Sequence, residues 1–522
     1  MVAEKKLKFS WMLGAALVTV GVVMSISYGQ KKEEVKAFSG FSTQEVAMIK
    51  TFSPLPETPP PNPTNKYADN PAAAALGQKF FFEKEWAGAS LTTSSDALAV
   101  ANPNPHGAGP KHISCFTCHG GVTNADGTPK FPALDDGLPI GIGTGFHPHN
   151  SLPVVNSAYH KWTNWQPNFD QPWPLPIAVL EAPVIFNSTR LRVAHVVYDK
   201  YKTEYEAVFG AMPNLNDTAT LADGSPRFPA TGKPVPACAN DVSAAGCLTT
   251  AEKATCTTAT PDAKCSGFEK MSGADKDLVN TVVANVSKAI EAYMRKLVSR
   301  NAPFDKWVAS DGKSTDLNAA QKRGLKLFIG KAGCTLCHVG PHFSDDKFHN
   351  TGLTHKGPTA HPNVRATDDG AFAGFGANGI KGRATAFSGI AAKTSDDTAA
   401  GAAKIAEFLD ANGNFVGGAS APPDTLKGQF RTPGLRNVAQ SAPYMHSGQL
   451  ATLADVIEFY SRGGDSTGFS GTKDPLMLVV DLTAEEKADL VAFLASLTGE
   501  PVPSELVADT RSACQQGAGP CP

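Results

Sequence analysis

Two pentapeptides constrain this chain more than anything else in it: Cys115-Phe-Thr-Cys118-His119 and Cys334-Thr-Leu-Cys337-His338. Two thiols three positions apart can add to the two vinyl groups of one haem, and the adjoining His then becomes the proximal iron ligand. A chain of this length and composition produces such a pentapeptide by chance roughly 0.005 times. A redox dithiol or a zinc knuckle would leave both adjoining His residues unexplained. The spacing therefore predicts two covalently bound haem c groups, held by Cys115, Cys118 and His119 and by Cys334, Cys337 and His338. A chain that must enclose two such groups is expected to be mainly α, with two cytochrome c-like haem domains and long loop insertions.

Six cysteines remain: Cys238, Cys247, Cys256, Cys265, Cys514 and Cys521. In an oxidising compartment an even set reads as disulfides. Cys514 with Cys521 is the natural pair, and Cys238–Cys247 with Cys256–Cys265 is the preferred of three pairings in the insert. The N-terminus agrees with export. Lys5, Lys6 and Lys8 precede an apolar stretch from Phe9 to about Ile26, followed by Ser27-Tyr28-Gly29. Residues 1–29 read as a signal peptide, with an uncleaved membrane anchor as the alternative. The periplasm is the expected location. The 47 Lys+Arg against 49 Asp+Glu exclude the strong basic field of a nucleic-acid binder.

Organisation follows from the punctuation. Residues 30–69 read as a Pro-rich linker, and 120–190 as loop-dominated. Asn70-Pro71 opens a helix through Phe82, with Asn as cap and Pro in the first turn. Further helices are expected over Leu191–Phe209, Asp277–Ser299, Ala319–Phe328, Thr398–Leu409, Thr452–Arg462 and Thr483–Leu497, several opened by capping pairs. Gly77-Gln-Lys-Phe-Phe-Phe82 and Gly324-Leu-Lys-Leu-Phe328, each preceding a haem motif, read as an internal repeat. The repeat predicts an N-terminal haem domain over 70–300 with a Cys-rich insert at 212–270. A second haem domain would span 301–500, and a disulfide-closed tail 501–522.

The second half carries further motifs: Asn301-Ala-Pro-Phe-Asp305, Phe348-His-Asn-Thr-Gly352, Arg431-Thr-Pro-Gly-Leu-Arg-Asn437, Pro443-Tyr-Met-His446 and Phe459-Tyr460. With the haem motifs, they resemble the bacterial di-haem cytochrome c peroxidase family, including MauG. The resemblance is strong over 275–500 and weaker over 70–190. It implies an N-terminal haem that reacts with hydrogen peroxide or O2, and a C-terminal haem that passes electrons. It also implies a calcium ion between the domains, and a small electron-donor cytochrome or cupredoxin as partner. Counting fourteen positions from His446 reaches Tyr460 as sixth ligand of the second haem. Tyr460 shares a helix face with Leu453, Val456 and Ile457, and Met445 and Met477 are rivals. By the same resemblance Asn150, Ser441 and Pro443 would hold calcium, Trp165 would bridge the haems, and Arg431 would face a haem propionate.

The resemblance also fails at specific places. The family follows its tryptophan with Asp-Gly-Arg, where this chain has Gln166-Pro167-Asn168. No carboxylate follows Pro183-Val-Ile-Phe-Asn187, where a distal glutamate is expected, and Glu181 reads as an ordinary surface acid. Arg190 could stabilise a developing oxyanion in its place. His147, His149 and His112 are alternative ligands to the first haem. Three functions therefore stay open: a peroxidase or MauG-like oxidoreductase, a non-catalytic electron-transfer cytochrome, and a di-haem oxygenase of a bulky organic substrate.

Overall fold

The computed structural model describes residues 38–88, 111–120, 141–230, 267–355, 368–371 and 422–521, apart from 146, 148, 167, 168, 170, 183, 222 and 223. Thr398–Leu409 and the cysteines at 238–265 lie outside the described residues, as does the N-terminal apolar stretch. Among the described residues, no helix is long and apolar enough to cross a membrane.

The fold is mostly helical, with one two-stranded ladder among the described residues, β1 (Phe348–His349) against β2 (Phe430–Arg431). Among the described residues, apart from a short turn of helix at Gly267–Lys270, the α-helices are α1 (Thr43–Thr51), α2 (Pro71–Phe82), α3 (Cys115–His119), α4 (Pro174–Glu181), α5 (Arg190–Phe209), α6 (Gly273–Met294), α7 (Pro303–Ala309), α8 (Ala319–Ile329), α9 (Leu453–Ser461) and α10 (Ala484–Ala495). The caps expected from sequence are formed. The Asn70 side chain accepts from the backbone of Ala72 and Ala73. Asn318 with Gln321, Thr452 with Asp455, and Thr483 with Glu486 are reciprocal capping boxes, each satisfying helix-end donors that would otherwise have no partner.

Two apolar cores form, and each takes one haem motif. The first gathers α2, α4, α5 and α6, with Cys115 packed against it; the second gathers α7, α8, α9 and α10, with Cys334 packed against it. The repeated glycines explain how the helices meet. A Cβ on Gly77 would lie 1.8 Å from the Ala289 carbonyl oxygen on α6, and one on Gly324 would lie 2.0 Å from the Asp489 carbonyl oxygen on α10. Both crossings need a residue without a side chain.

Two sequence readings need correction. The stretch at 30–69 is not a plain linker. Ser42 and Glu45 form a capping box that opens α1. Phe38, Phe41, Val46, Ile49 and Phe52 then enter the second core, far ahead of its other members along the chain. The 120–190 region also contains α4, whose Pro174 sits in the first turn and whose Ile177 and Leu180 are buried. At the other end, Val502, Leu506 and Val507 join the first core. Gln78 donates to the carbonyls of Glu505 and Ala508, and Tyr293 to that of Leu506. Beyond them the Cys514–Cys521 disulfide is formed as expected. Each core is therefore completed by the chain end that belongs, by sequence, to the other.

Buried in the first core, Lys288 places its ammonium 4.9 Å from the Trp173 ring. Burial, with Lys66 nearby, lowers its pKa from 10.5 to about 7. Between those two values the unfolded chain binds more protons than the folded one, so this residue makes stability rise with pH across that window. The slope is at most ~1.4 kcal/mol per pH unit. Lys288→Met is expected to raise the melting temperature most at pH 7 and below, and to flatten the rise above it. Thermal melts from pH 6 to 10 check this; an unchanged slope refutes it.

Candidate haem and electron-transfer site

Ser114 starts α3, and its backbone N–H donates to Thr117 Oγ1 at 2.9 Å. One helical turn therefore puts Cys115 and Cys118 on the same side. Phe116, between them, stacks on Phe82 of α2 at 4.4 Å. The second motif begins on Gly333 at φ +65°, a left-handed entry into the short turn Cys334–Leu336. His338 Nδ1 lies 2.8 Å from the Phe343 carbonyl oxygen. That bond fixes the tautomer with Nδ1 protonated, leaving Nε2 as a lone-pair donor for a metal. None of the four motif cysteines is in a disulfide. Burial pushes the Cys115 and Cys334 thiols up to about 12, far from a reactive dithiol.

Cys118, His119, Cys334, Cys337 and His338 line one continuous cavity of about 510 Å³. Its wall is largely apolar, with Ile142, Val155, Leu175 and Val179 near one end and Leu453, Val456, Ile457 and Leu490 near the other. Thiols, imidazoles and an apolar wall are the donor set and surroundings that haem c requires. The motif residues present fit the group.

The face predicted on α9 is the one that meets the cavity: Leu453, Val456, Ile457 and Tyr460 all line it. Burial, then the neighbouring Cys337 and Cys334, push the Tyr460 phenol up. Met445 and Met477 line the same cavity, so the structure brings all three rivals to it.

Trp165 is buried in the cavity wall, and its indole N–H donates to the Asn150 carbonyl at 2.9 Å. Asn150 is placed in turn by its backbone N–H, which donates to His446 O at 2.8 Å, and its side-chain amide lies 3.3 Å from the Pro443 carbonyl. Ser441, two residues before Pro443, lines the same wall and caps its own turn through Val438. The structure thus brings the three expected calcium residues to one wall, where the Asn150 amide donates to the Pro443 carbonyl and the Ser441 hydroxyl to that of Val438.

Arg431 lies on β2 with its guanidinium almost fully buried. Nε donates to Asn164 O at 3.0 Å, and Nη1 lies 2.7 Å from His160 Nδ1 and 3.5 Å from Asp346 Oδ1. Burial pulls its pKa down. A buried guanidinium at the cavity wall, with a carboxylate no closer than this, is well placed to pair with an anion. His160, His342 and Asp346 offer ligand atoms within 4.8 Å of one another. The Asp346 carboxylate lies 2.7 Å from His160 Nδ1 and 3.2 Å from His342 Nε2, so it balances the Arg431 cation and ties the cluster together. Sequence reading missed these three residues, although His342 and Asp346 follow the second motif at a suggestive spacing of four.

Arg190 is placed differently from its expected role. Nε and Nη2 donate to the two Glu181 carboxylate oxygens at 2.6 and 3.1 Å, and Nη1 donates to Asn280 at 2.7 Å. Neither Arg190 nor Glu181 is among the residues lining the cavity. The guanidinium fork is occupied in fastening α5 to α4 and α6, so an oxyanion role has no geometric support, and Glu181 is no idle surface acid. His147 and His149 do line the cavity, but His149 Nε2 is bonded to Asp368 Oδ2 at 2.5 Å and that nitrogen is taken. His112 is not in the lining.

Comparison with known proteins agrees with this geometry. The family model for di-haem cytochrome c peroxidase matches residues 71–225. A cytochrome-c peroxidase of Denitromonas iodatirespirans is 35% identical over 228 residues, covering 44% of this chain and 52% of that one. Over these stretches the chain is similar to di-haem cytochrome c peroxidases. The methylamine utilization protein MauG of Methylorubrum extorquens is 30% identical over 220 residues, 42% of this chain and 45% of that one. The cytochrome c551 peroxidase of Pseudomonas aeruginosa is 25% identical over 390 residues, 74% of this chain and 73% of that one. The chain spans about half the length of the first of these curated relatives. A solved MauG-like protein associated with microbial copper homeostasis shares the fold, with a TM-score of 0.51 and 22% identity over 87% of this chain and 98% of that one. Haem c is the cofactor that the two Cys-x-x-Cys-His motifs imply.

Proposed function

We propose that this protein is a periplasmic di-haem oxidoreductase of the peroxidase and MauG kind. In this reading hydrogen peroxide or O2 reacts at the haem of Cys115, Cys118 and His119. Reducing equivalents arrive from a small cytochrome or cupredoxin at the haem of Cys334, Cys337 and His338. The observation that carries this is the single cavity shared by both motifs, with Trp165 in its wall. The haems, once attached, supply electron exchange with peroxide. The chain supplies the rest. His338 is oriented by Phe343, Arg431 neutralises a buried anion such as a propionate, and the apolar wall excludes water. Asn150, Ser441 and Pro443 would hold a calcium ion beside Trp165, and Tyr460 would offer its phenolate oxygen to the iron of the second haem. A phenolate ligand stabilises ferric iron, so Tyr460→Met is expected to raise the potential of one haem and leave the other near its original value in a spectroelectrochemical titration.

Steady-state consumption of hydrogen peroxide with a reduced small c-type cytochrome tests the activity. No turnover, with both haems attached and six-coordinate in every redox state, overturns it. The closed Arg190–Glu181 pair favours one second reading, an electron-transfer cytochrome without chemistry, because it keeps Arg190, the expected distal group, out of the cavity. Carbon monoxide binding to the reduced protein separates the two: it binds an enzyme with an open iron and fails to bind a pure carrier.

A further inference from the structure

Asp368 comes from the long excursion between the second haem motif and β2, a segment that neither the motifs nor the proposed reaction employs. Its carboxylate is buried and joins two pieces of chain that are distant from it in sequence. Oδ2 lies 2.5 Å from His149 Nε2, and Oδ1 accepts from the Gln166 side-chain amide at 3.0 Å. His149 immediately precedes Asn150, and Gln166 immediately follows Trp165. Because the Trp165 indole donates to the Asn150 carbonyl at 2.9 Å, the bonds close a ring. It runs from Asp368 to His149, Asn150, Trp165, Gln166 and back to Asp368.

The ring is anchored from outside. Gly370 N–H donates to Asp368 Oδ1 at 3.0 Å, and the Ala371 N–H donates to the Gln429 carbonyl at 2.6 Å. Gly370 has φ +54°, and a Cβ there would lie 2.2 Å from the Gln429 carbonyl oxygen, so only glycine fits. Gln429 leads into β2, where the Arg431 N–H donates to the Trp165 carbonyl at 2.9 Å. On the remaining side His446 stacks on Phe430 at 3.6 Å, with the His149 ring edge-on to both. The backbone and the indole of Trp165 are thus tied to the same short stretch of the excursion by two separate routes.

We propose that Asp368 is a positioning residue for Trp165, closing the ring that fixes the indole in the cavity wall and setting a permanent negative charge one residue along from it. The proposal rests on the reading of Trp165 as the aromatic between the two haems. A buried bond to an ionised group is worth more than a neutral one and is costly to leave unmade. A five-residue ring closed through one carboxylate should therefore loosen as a unit when that charge is removed.

The test uses the full chain with both haems attached. Asp368→Asn keeps the shape and one acceptor but removes the charge. Its kcat with peroxide and reduced cytochrome is expected to fall about tenfold with KM for peroxide unchanged. At least one haem potential should rise, because a nearby anion stabilises ferric iron. Asp368→Ala should lose more. In the double variant Gln166→Glu with Asp368→Asn, the carboxylate moves to the other side of the same bond with the side-chain length at 166 kept, and the amide introduced at position 368 can donate to it. That swap is expected to recover kcat to within about threefold of the parent. Asp368→Asn at parental kcat and potentials, alongside a Trp165→Phe variant that loses turnover, overturns the proposal while sparing the reading beneath it. Parental turnover in Trp165→Phe overturns that reading and the proposal together. Haem content and melting temperature, measured on every variant, identify an unfolded Asp368→Ala, and Asp368→Asn then decides alone.

Discussion

Replacing Cys334 and Cys337 together by Ser is expected to leave a protein with one covalent haem in place of two, and with no peroxide turnover. Each motif lies against its own core, so attachment at Cys115 and Cys118 should survive loss of the second site. A pyridine haemochrome assay against protein concentration gives the stoichiometry, and denaturing electrophoresis with haem staining shows whether the remaining haem is covalent. The cavity is shared, however, and emptying one end exposes Leu453, Ile457 and Leu490 to a void. A core residue left without packing partners costs about 2–5 kcal/mol, so a lower melting temperature should accompany the loss. Two haems still attached after this substitution would refute the assignment of the motif.

The second large effect concerns stability rather than chemistry. Arg436 ends the Arg431-Thr-Pro-Gly-Leu-Arg run and is buried, as is its partner Asp305. Its nitrogens donate to both Asp305 oxygens at 2.7 and 3.0 Å, to the Phe52 carbonyl at 3.0 Å and to the Pro341 carbonyl at 2.5 Å. Asp305 also accepts from Ser53 and from the Ala302 backbone. One guanidinium therefore joins the segment after α1, the start of α7 and the loop beyond the second haem motif. Arg436→Met is expected to cost about 3–5 kcal/mol, because it strands a buried carboxylate. In a two-state chain this long, each kcal/mol lowers the melting temperature by about 2–4 °C or less. Arg436→Met with Asp305→Leu should recover much of the loss, since replacing a whole buried pair by apolar groups is often near neutral. Equal melting temperatures for Arg436→Met and the parent would refute the account.

Much of this was legible beforehand, for physical reasons that differ from place to place. Helices opened by a polar cap and carrying an apolar stripe, such as α2, α8, α9 and α10, declare both their start and their inward face. Tyr460 was found on the cavity side because the spacing of Leu453, Val456 and Ile457 already fixed that face. α4 was missed because its prolines read as loop punctuation and its apolar residues leave no polar face to give a helical period. α1 carried its own signal in Ser42 and Glu45, but the nearby prolines drew attention to the stretch as linker. Arg190 was misjudged because sequence shows a cation near the expected distal position, and only geometry shows that Glu181 and Asn280 occupy it. Asp368 could not have been found at all: its partners stand about 200 residues away, and contacts at that separation follow no local pattern.

The exchange of chain ends between the two cores has a consequence for how the molecule comes to exist. Phe38 through Phe52 leave the ribosome early but find packing partners only once Trp307 of α7, Phe328 of α8 and Phe343 are made. The first core has its helices by Met294, yet lacks Val502, Leu506 and Val507 until the far end emerges. Neither half can finish as a separate unit during synthesis, and a fragment cut near residue 301 would lack part of its own interior. Apoprotein exported unfolded would hold both haem motifs accessible to the attachment machinery until the last turn of chain closes them in. The order of events would then be haem first and final packing second.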